Sequence, residues 1–373
     1  MYATVNSHTR NLSAFNTSVN SDFSHNLVEQ VADAINNKTA LRITGGNSKN
    51  FYGNHINGND LCTTEHTGII EYQPSELVVT VRSGTLLNEL EAELKANKQM
   101  LAFEPPQHNK NTTIGGVIAC GLSGPRRAAC GSARDFVLGT TIINGKAKKC
   151  RFGGQVMKNV AGYDASRLMV GAQGTLGVLL DISLKVLPVS ESEISLKINT
   201  ESDNAIQHLQ QWIQQGLPVS ASCFLKDTLY VRLGSTHSAV KQSLNIINRD
   251  FDTEEIDKNF WLQIKNQSHN FFTRPYQLWR CSHQPTTEIY ESAENQLLEW
   301  NGALRWIYSD KNLHTIAEKH GGHAQRHPIA IKEKAISDIF HPLQPGMLKI
   351  HKRLKQAFDP ENILNPGRLY ADL

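Results

Sequence analysis

The residues of this chain best suited to chemistry are glycines gathered in two runs about seventy positions apart, Thr44-Gly45-Gly46-Asn47-Ser48-Lys49 and Thr113-Ile114-Gly115-Gly116-Val117-Ile118-Ala119-Cys120-Gly121-Leu122-Ser123-Gly124. Backbone without bulk lets successive N–H groups converge on an anion and lets a flat ring lie against the main chain. In the first run Gly45 and Gly46 are expected to take angles that strain other residues, forming a nest for a pyrophosphate, with Ser48 as hydroxyl donor and Lys49 adding charge. A surface turn would use the same letters. The second run reads as a ten-residue loop whose Gly115, Gly116, Gly121 and Gly124, spaced by Ala119, Cys120 and Ser123, would admit a ring system and a ribose; tight strand packing is the alternative. A third stretch, Gly171-Ala172-Gln173-Gly174-Thr175-Leu176-Gly177-Val178, superficially looks like a Rossmann fingerprint. It does not follow a strand with a correctly spaced acidic residue about twenty positions on, so it reads as a loop that enters a strand and offers main-chain groups to a ligand's polar edge. The two glycine runs together point to a flavin dinucleotide.

The elements that must hold these loops follow from periodicity. Phe23, Leu27, Val28, Val31 and Ile35 have helical spacing, and Leu41-Arg42-Ile43 is a strand feeding the first glycine run. Strands are expected at 68–72 and 77–81 around a Gln73-Pro74-Ser75-Glu76 turn, then a helix carrying Leu86, Leu87, Leu90 and Leu94 with Thr85 as N-cap. Glu104-Pro105-Pro106 is an extended break, because proline biases its predecessor away from helix. Strands follow at 137–143 and 178–187, and Pro188 with Ser190-Glu191-Ser192-Glu193 marks a domain boundary. Beyond it, strand 194–198, helix 204–214, strands 221–225 and 228–233 and helix 238–249 give the β-α-β-β-α order of a ferredoxin-like cap. A helix at 347–357 precedes the final turn, Phe358 to Arg368. Four segments result: a polar extension 1–21, a cofactor domain 22–188, a cap 189–335 and a tail 336–373 that returns to the cofactor domain.

Composition sets bounds. With 373 residues, 39% hydrophobic and 20% charged, the chain can bury a large core. A formal net charge of +3 is too small for a nucleic-acid footprint, and the basic groups at 146–151 and 349–355 read as solvated faces. No apolar run is long enough for a membrane span, and the first twenty residues lack a secretion-signal core. Cys62, Cys120, Cys130, Cys150, Cys223 and Cys281 include no C-x-x-C pair, which offers no zinc, iron–sulfur or disulfide framework. A reducing cytoplasm is the expected setting. If the chain holds a flavin that must lose electrons singly, the next carrier lies in another protein or a diffusible acceptor.

In order and spacing these elements resemble the flavoenzymes of the vanillyl-alcohol-oxidase type, and within them the E-type FAD-binding subunits of bacterial glycolate oxidases. The likeness is carried by Leu41 to Lys49, Glu104-Pro105-Pro106, Gly121-Leu122-Ser123-Gly124-Pro125-Arg126-Arg127, Arg134-Asp135-Phe136-Val137-Leu138-Gly139-Thr140 and Arg151 to Asp164. Leu278-Trp279-Arg280, Gly321-Gly322-His323 and Asn365-Pro366-Gly367-Arg368-Leu369-Tyr370 extend it from about residue 22 to the C-terminus. It implies an α+β fold: a two-lobed PCMH-type FAD-binding domain followed by the ferredoxin-like α/β cap.

The resemblance also implies residue roles. Thr44, Gly45, Gly46, Asn47 and Ser48 would hold the FAD pyrophosphate; Thr113 with Gly121, Leu122, Ser123 and Gly124 would line the cofactor; Gly174, Thr175, Leu176, Gly177 and Val178 would run beside it. Covalent members attach flavin through a histidine at the position of Asn47, so FAD here is expected to be dissociable. The implied complex oxidises glycolate to glyoxylate, with hydride passing to the flavin and electrons leaving through an iron–sulfur subunit. The partners implied are that subunit, a catalytic flavoprotein sister subunit and a small 2-hydroxy acid, any contact with the inner face of the membrane being made through partners. Arg280 and Arg305 are candidates for the substrate carboxylate, or else arginines packed on Trp279 or Trp306. His323 is a candidate proton acceptor, and Tyr163 and Lys158 could touch substrate or order their loop. His320, His323 and His327 are not expected to bind metal, because Gly321 and Gly322 break the helix that would align them. A self-contained 2-hydroxy-acid dehydrogenase and a non-catalytic flavin-bound scaffold remain as alternatives to a subunit of a glycolate-oxidising complex.

Overall fold

Leu27, Val31 and Ala34 fall on one stripe of helix α1 (Ser24–Asn37), which stops where Lys38 turns left-handed at φ 52°. The molecule is a computed structural model describing residues 20–154, 164–288, 292, 294–328 and 338–373. After α1, strand β1 (Leu41–Thr44) pairs in parallel with β2 (Asn59–Cys62), forming a small lobe with the helix. Strands β3 (Ile69–Gln73) and β4 (Val78–Arg82), helix α2 (Leu87–Ala96) and the short strand β5 (Gln99–Met100) follow. Helices α3 (Ile114–Cys120), α4 (Arg127–Cys130) and α5 (Ala133–Phe136) lead to β6 (Val137–Ile143), β7 (Lys149–Gly153) and β8 (Val178–Lys185), and β9 (Leu187–Pro188) pairs with β5. The five longer strands of this second lobe make an antiparallel sheet in the order β3-β4-β8-β6-β7. A β-bulge in β8, where the pair Thr141–Asp181 gives way to Ile142–Leu179, switches the faces of its side chains: Val79, Val81, Ile182 and Leu184 pack under α2 and α3, whereas beyond the bulge Val178, Leu180 and Ile143 pack with α1 and the small lobe.

Two local expectations change. Thr85 does not cap α2, whose N-cap is Leu86; its hydroxyl instead bonds both the N–H and the C=O of Gly68. The second glycine run is not one loop, because Ile114 to Cys120 forms a helix of nearly two turns. Thr113 caps it by accepting from the Gly116 N–H, and Gly121 ends it at φ 64°.

The rest of the chain builds an eight-stranded antiparallel sheet. It runs through β10 (Ser192–Asn199), α6 (Ser202–Gln214), β11 (Val219–Leu225), β12 (Thr228–Ser235), α7 (His237–Asp250), β13 (Glu254–Glu255) and α8 (Asn259–Lys265). Then come β14 (Leu278–Ser282), β15 (Gln296–Glu299), β16 (Leu304–Tyr308), α9 (Leu313–Lys319) and β17 (His323–Arg326). The order β13-β10-β12-β11-β15-β16-β14-β17 begins with the ferredoxin-like arrangement of its first four strands and then extends across the β11 edge. The sequence pattern reveals only that first half, since β14 to β17 are short and broken by turns.

Period two gives this sheet two functions. Phe224, Leu298, Trp279, Cys281, Ile307 and Ala324 face α6, α7 and α9. The alternate residues, among them Trp306 and Leu297 with Arg280 and Gln325 in register, face the first unit. Glu104 fastens the two units. Its oxygens accept from Arg232 Nη2 at 2.8 and 3.1 Å and from the Arg126 N–H at 2.9 Å, while Arg126 Nη2 reaches Glu193 at 2.6 Å. Helix α10 (Pro345–Phe358) and the tail close back on the first unit, where Leu364 pairs with Leu41.

Candidate functional site

The first glycine run leaves β1 as a turn with few internal obligations. Among the described residues, no protein acceptor takes the backbone N–H of Gly45, Gly46, Asn47, Ser48 or Lys49. Asn47 adopts the left-handed conformation at φ 55°, the alternation that turns consecutive amides inward as an anion-binding nest. Gly45 and Gly46 serve differently from the sequence expectation: neither has positive φ, and both are glycine because the loop presses on the 111–113 segment. A Cβ on Gly46 would lie 1.4 Å from the Asn111 carbonyl oxygen, and one on Gly45 would lie 2.5 Å from Thr113 Oγ1.

A cleft of about 1000 Å³, its open mouth included, opens over this turn. Its walls are Thr44 to Asn50, Thr113, Gly115, Gly116, Gln173, Gly174, Gly177 and Arg368, so pieces far apart in sequence converge. Asn365 fixes two of them to each other: Oδ1 accepts from the Ile43 N–H at 2.7 Å and Nδ2 donates to the Gln173 carbonyl at 2.6 Å. Arg368 braces the loop beyond, donating to the carbonyls of Asn50, Tyr52 and Asn54. Lys49 is the unusual wall residue. It is 6% exposed, its Nζ has no hydrogen-bond partner, and burial lowers its pKa to about 8. An ammonium without a counter-charge beside five free amides fits a dinucleotide's pyrophosphate.

The remaining expected cofactor residues lie outside this cleft. Gly121 to Gly124 run on from α3 to the cap: Leu122 is buried, Ser123 Oγ accepts from the Ala133 N–H, and the Gly124 carbonyl accepts from Trp300 Nε1 at 3.0 Å. Thr175 donates to the Ala172 carbonyl, and Leu176 and Val178 point their side chains into the core, so Gly174 and Gly177 are what that segment offers the cleft.

Between the cleft and the cap runs a corridor of aromatic and basic side chains. Phe51 lies 5.1 Å from His108 and 5.2 Å from His327, and His327 lies 4.8 Å from Trp306. His327 is fully buried against Gln267 at 2.8 Å; burial and then neighbouring His108 keep it neutral. Burial, followed by the charge of Lys49, lowers His108 to about 3. Glu299, also buried, accepts from Trp306 Nε1 at 2.7 Å, and burial raises its pKa to about 7. Tyr52, just past Lys49, takes a hydrogen bond from Gln325 at 2.9 Å.

Strand parity separates the two arginine candidates. Arg280 pairs across the sheet with Trp306 and Gln325, and so faces the corridor, its guanidinium 5.1 Å from the Trp300 ring. Arg305 is one residue out of phase. It is fully buried and donates to the carbonyls of Thr287 and Glu288, which removes it as a carboxylate-binding candidate. His323 begins β17 with its ring 6.3 Å from His341; partial desolvation and then the charge of Arg280 lower its pKa. Tyr163 and Lys158 lie outside the described residues. Among the described residues, no three His, Cys, Asp or Glu gather as a metal-ligand set, and no helix is long and apolar enough to cross a membrane. Sequence reasoning passed over His108, Glu299 and Trp300, weighed His327 only as a metal ligand, and gave Asn365 no role of its own. The Asn365-Pro366-Gly367-Arg368 turn was its one visible signal for this part of the site.

Comparison with known proteins adds to this geometry. Residues 24–153 match a family model described as FAD binding domain, and residues 332–369 match the C-terminal domain of FAD linked oxidases. The chain is 44% identical over 355 residues to the glycolate oxidase subunit GlcE of Escherichia coli (strain K12), spanning 94% of this chain and 99% of that one. It is 25% identical to the glycolate oxidase subunit GlcD of Bacillus subtilis (strain 168), over 81% of this chain and 77% of that one. A D-lactate dehydrogenase of Anaerostipes hadrus is 33% identical over 44% of this chain and 35% of its own. In three dimensions, a structure of alkyldihydroxyacetonephosphate synthase superposes with a TM-score of 0.65 at 13% identity, covering 92% of this chain and 76% of that one. That likeness shows the fold, a two-lobed FAD-binding domain with its cap.

Proposed function

This chain belongs to the FAD-linked oxidoreductase family of the glycolate oxidase subunit GlcE and binds FAD; from that premise we propose that it is the E-type subunit of a complex oxidising glycolate to glyoxylate. The observation that carries the reading is the row of unpartnered amides at 45–49 with the buried Lys49 ammonium beside it. Bound FAD supplies the acceptor for a hydride leaving the alcohol carbon of the substrate.

The protein's own contribution is to bind and orient. Thr44 to Lys49 hold the pyrophosphate, Gly115, Gly116, Gly174 and Gly177 let the cofactor lie close, and the cap excludes water from the interface. FAD is held without a covalent bond, since Asn47 stands where covalent relatives carry histidine. Arg280 binds the substrate carboxylate, and His323, beside Arg280, is the candidate proton acceptor. With six free cysteines lying apart, onward electron transfer is assigned to an iron–sulfur partner, and a flavoprotein sister subunit completes the complex. The domain limits proposed are 22–188 for the cofactor domain, 189–335 for the cap and 336–373 for the returning tail.

The test is an anaerobic visible spectrum of the purified chain before and after glycolate. A flavin spectrum that stays oxidised until sister subunits are added supports the subunit reading. Bleaching by glycolate alone would establish a self-contained 2-hydroxy-acid dehydrogenase, the reading that Arg280 at the interface favours. Absence of flavin would refute the assignment of the glycine loops.

A further inference from the structure

We propose that Arg127 and Arg280, gathered on the indole of Trp300 where the two units meet, form a two-guanidinium site for the carboxylate of a small 2-hydroxy acid, so that this subunit binds substrate itself. The proposal rests on the FAD-dependent reading above and adds Arg127, which closes the Gly121 to Arg127 motif and had no role assigned there.

The two arginines reach one indole ring from different units. Arg127 opens α4 in the cofactor unit, and its Cζ lies 4.3 Å from the centre of the Trp300 ring. Arg280 comes from β14 of the cap, 5.1 Å from the same ring and 5.9 Å from Trp306. Trp300 is held for this purpose by its bond to the Gly124 carbonyl. Cation–π contacts of this kind hold a guanidinium plane while leaving its edge free to bind a carboxylate through two parallel hydrogen bonds.

Neither guanidinium makes an ion pair or hydrogen bond with the described residues, and both are half-buried. Other arginines nearby are committed: Arg126 to Glu104 and Glu193, Arg232 to Glu104 and Ser220, Arg305 to two carbonyls. The carboxylates within reach offset the pair only through space: the charge of Arg280 favours ionised Glu299 and that of Arg127 favours ionised Asp135, yet neither carboxylate bonds a guanidinium. Glu299 is turned to Trp306, and Asp135 caps α5 through Ser132. Burial, and next the charge of Arg280, lower the pKa of Arg127 against the smaller opposing effect of Asp135, as expected of two like charges on one ring that nearby carboxylates balance only in part. The pyrophosphate is not that anion, because neither arginine lines the glycine-loop cleft. The charge of Arg280 is felt instead at Tyr52, whose N–H bonds the carbonyl of the cleft residue Lys49. A carboxylate bridging the two would also draw cap and cofactor unit together.

The test is calorimetric titration of the FAD-loaded chain with oxalate, a small carboxylate that cannot lose a hydride, in wild type, R127L, R127K and R280L. Expected is at least a tenfold loss of oxalate affinity in R127L and R280L, a smaller loss in R127K, and FAD content equal to wild type. Wild-type affinity in R127L, or no oxalate binding by FAD-loaded wild type, would overturn the proposal. So would release of FAD from a folded R127L, which would give that guanidinium to the cofactor. Should R280L fail to fold, R280K takes its place. A chain that shows no flavin spectrum would refute the cofactor reading alone; oxalate titration of that FAD-free protein still decides the clamp, because both arginines belong to the fold.

Discussion

Replacing Lys49 by methionine should have opposite effects on the FAD-free and FAD-loaded protein. Burial lowers the Lys49 pKa from 10.5 to about 8, and nothing in the cleft accepts its proton. At about 1.4 kcal/mol per pH unit, holding the charge in the empty cleft costs about 3 kcal/mol. The sign follows from linkage: a lysine whose pKa is lower in the folded than in the unfolded chain destabilises the fold fully below pH 8, and the penalty fades as pH rises toward 10.5. K49M should therefore raise the unfolding temperature of FAD-free protein by several degrees at pH 7 and by little at pH 10. With FAD present the ammonium meets the pyrophosphate, a charge-assisted contact of about 1.5–3 kcal/mol, so K49M should weaken FAD binding by roughly 10- to 150-fold. Wild-type affinity should fall as pH rises through 8, while K49M stays flat. Thermal melts and flavin fluorescence titrations across pH 6–10 measure both. A FAD affinity within twofold of wild type, or a lowered melting temperature of FAD-free K49M, would refute the reasoning.

Other consequences are open to simpler measurements. G46A should abolish flavin binding, because its Cβ would occupy the space of the Asn111 carbonyl oxygen 1.4 Å away; a purified variant with full flavin absorbance would contradict this. The Glu299 carboxyl, raised by burial from 4.5 to about 7, costs nothing when protonated in both states and most when ionised in both. E299Q should accordingly stabilise the protein by up to about 3 kcal/mol at pH 8 and hardly at pH 5, a contrast that urea titrations at the two pH values will show or exclude. E104A strands Arg126 and Arg232 with only Glu193 to share and should cost about 3–5 kcal/mol; a loss below about 1 kcal/mol would mean that the units are held by apolar packing instead. Acid precipitation of the holoprotein should leave all of its flavin in the supernatant, and yellow pellets would disprove dissociable FAD.

Much of this molecule could be read from the chain alone. Helices α1, α6, α7 and α10 follow an apolar period of 3.6, and strands β4, β6, β8 and β12 are short apolar or β-branched runs bounded by turn residues, both of which local sequence displays directly. The order of the glycine runs, with the motifs around them, carried the α+β class and the FAD assignment, because backbone proximity to a cofactor demands small residues wherever it occurs. The tertiary structure decided why particular residues stand where they do. Gly45 and Gly46 are glycine because residues 111–113 press on them, a contact about seventy positions distant that no local angle reveals. Arg280 and Arg305 look alike in sequence, each beside a tryptophan, and the parity of two paired strands turns one to the interface and the other to buried carbonyls. Lys49 became a counter-charge, and Arg127 a partner of Arg280, only when folding stripped water from one and brought the cap to the other. Periodicity is a property of neighbours along the chain; desolvation, charge convergence and steric exclusion belong to neighbours in space.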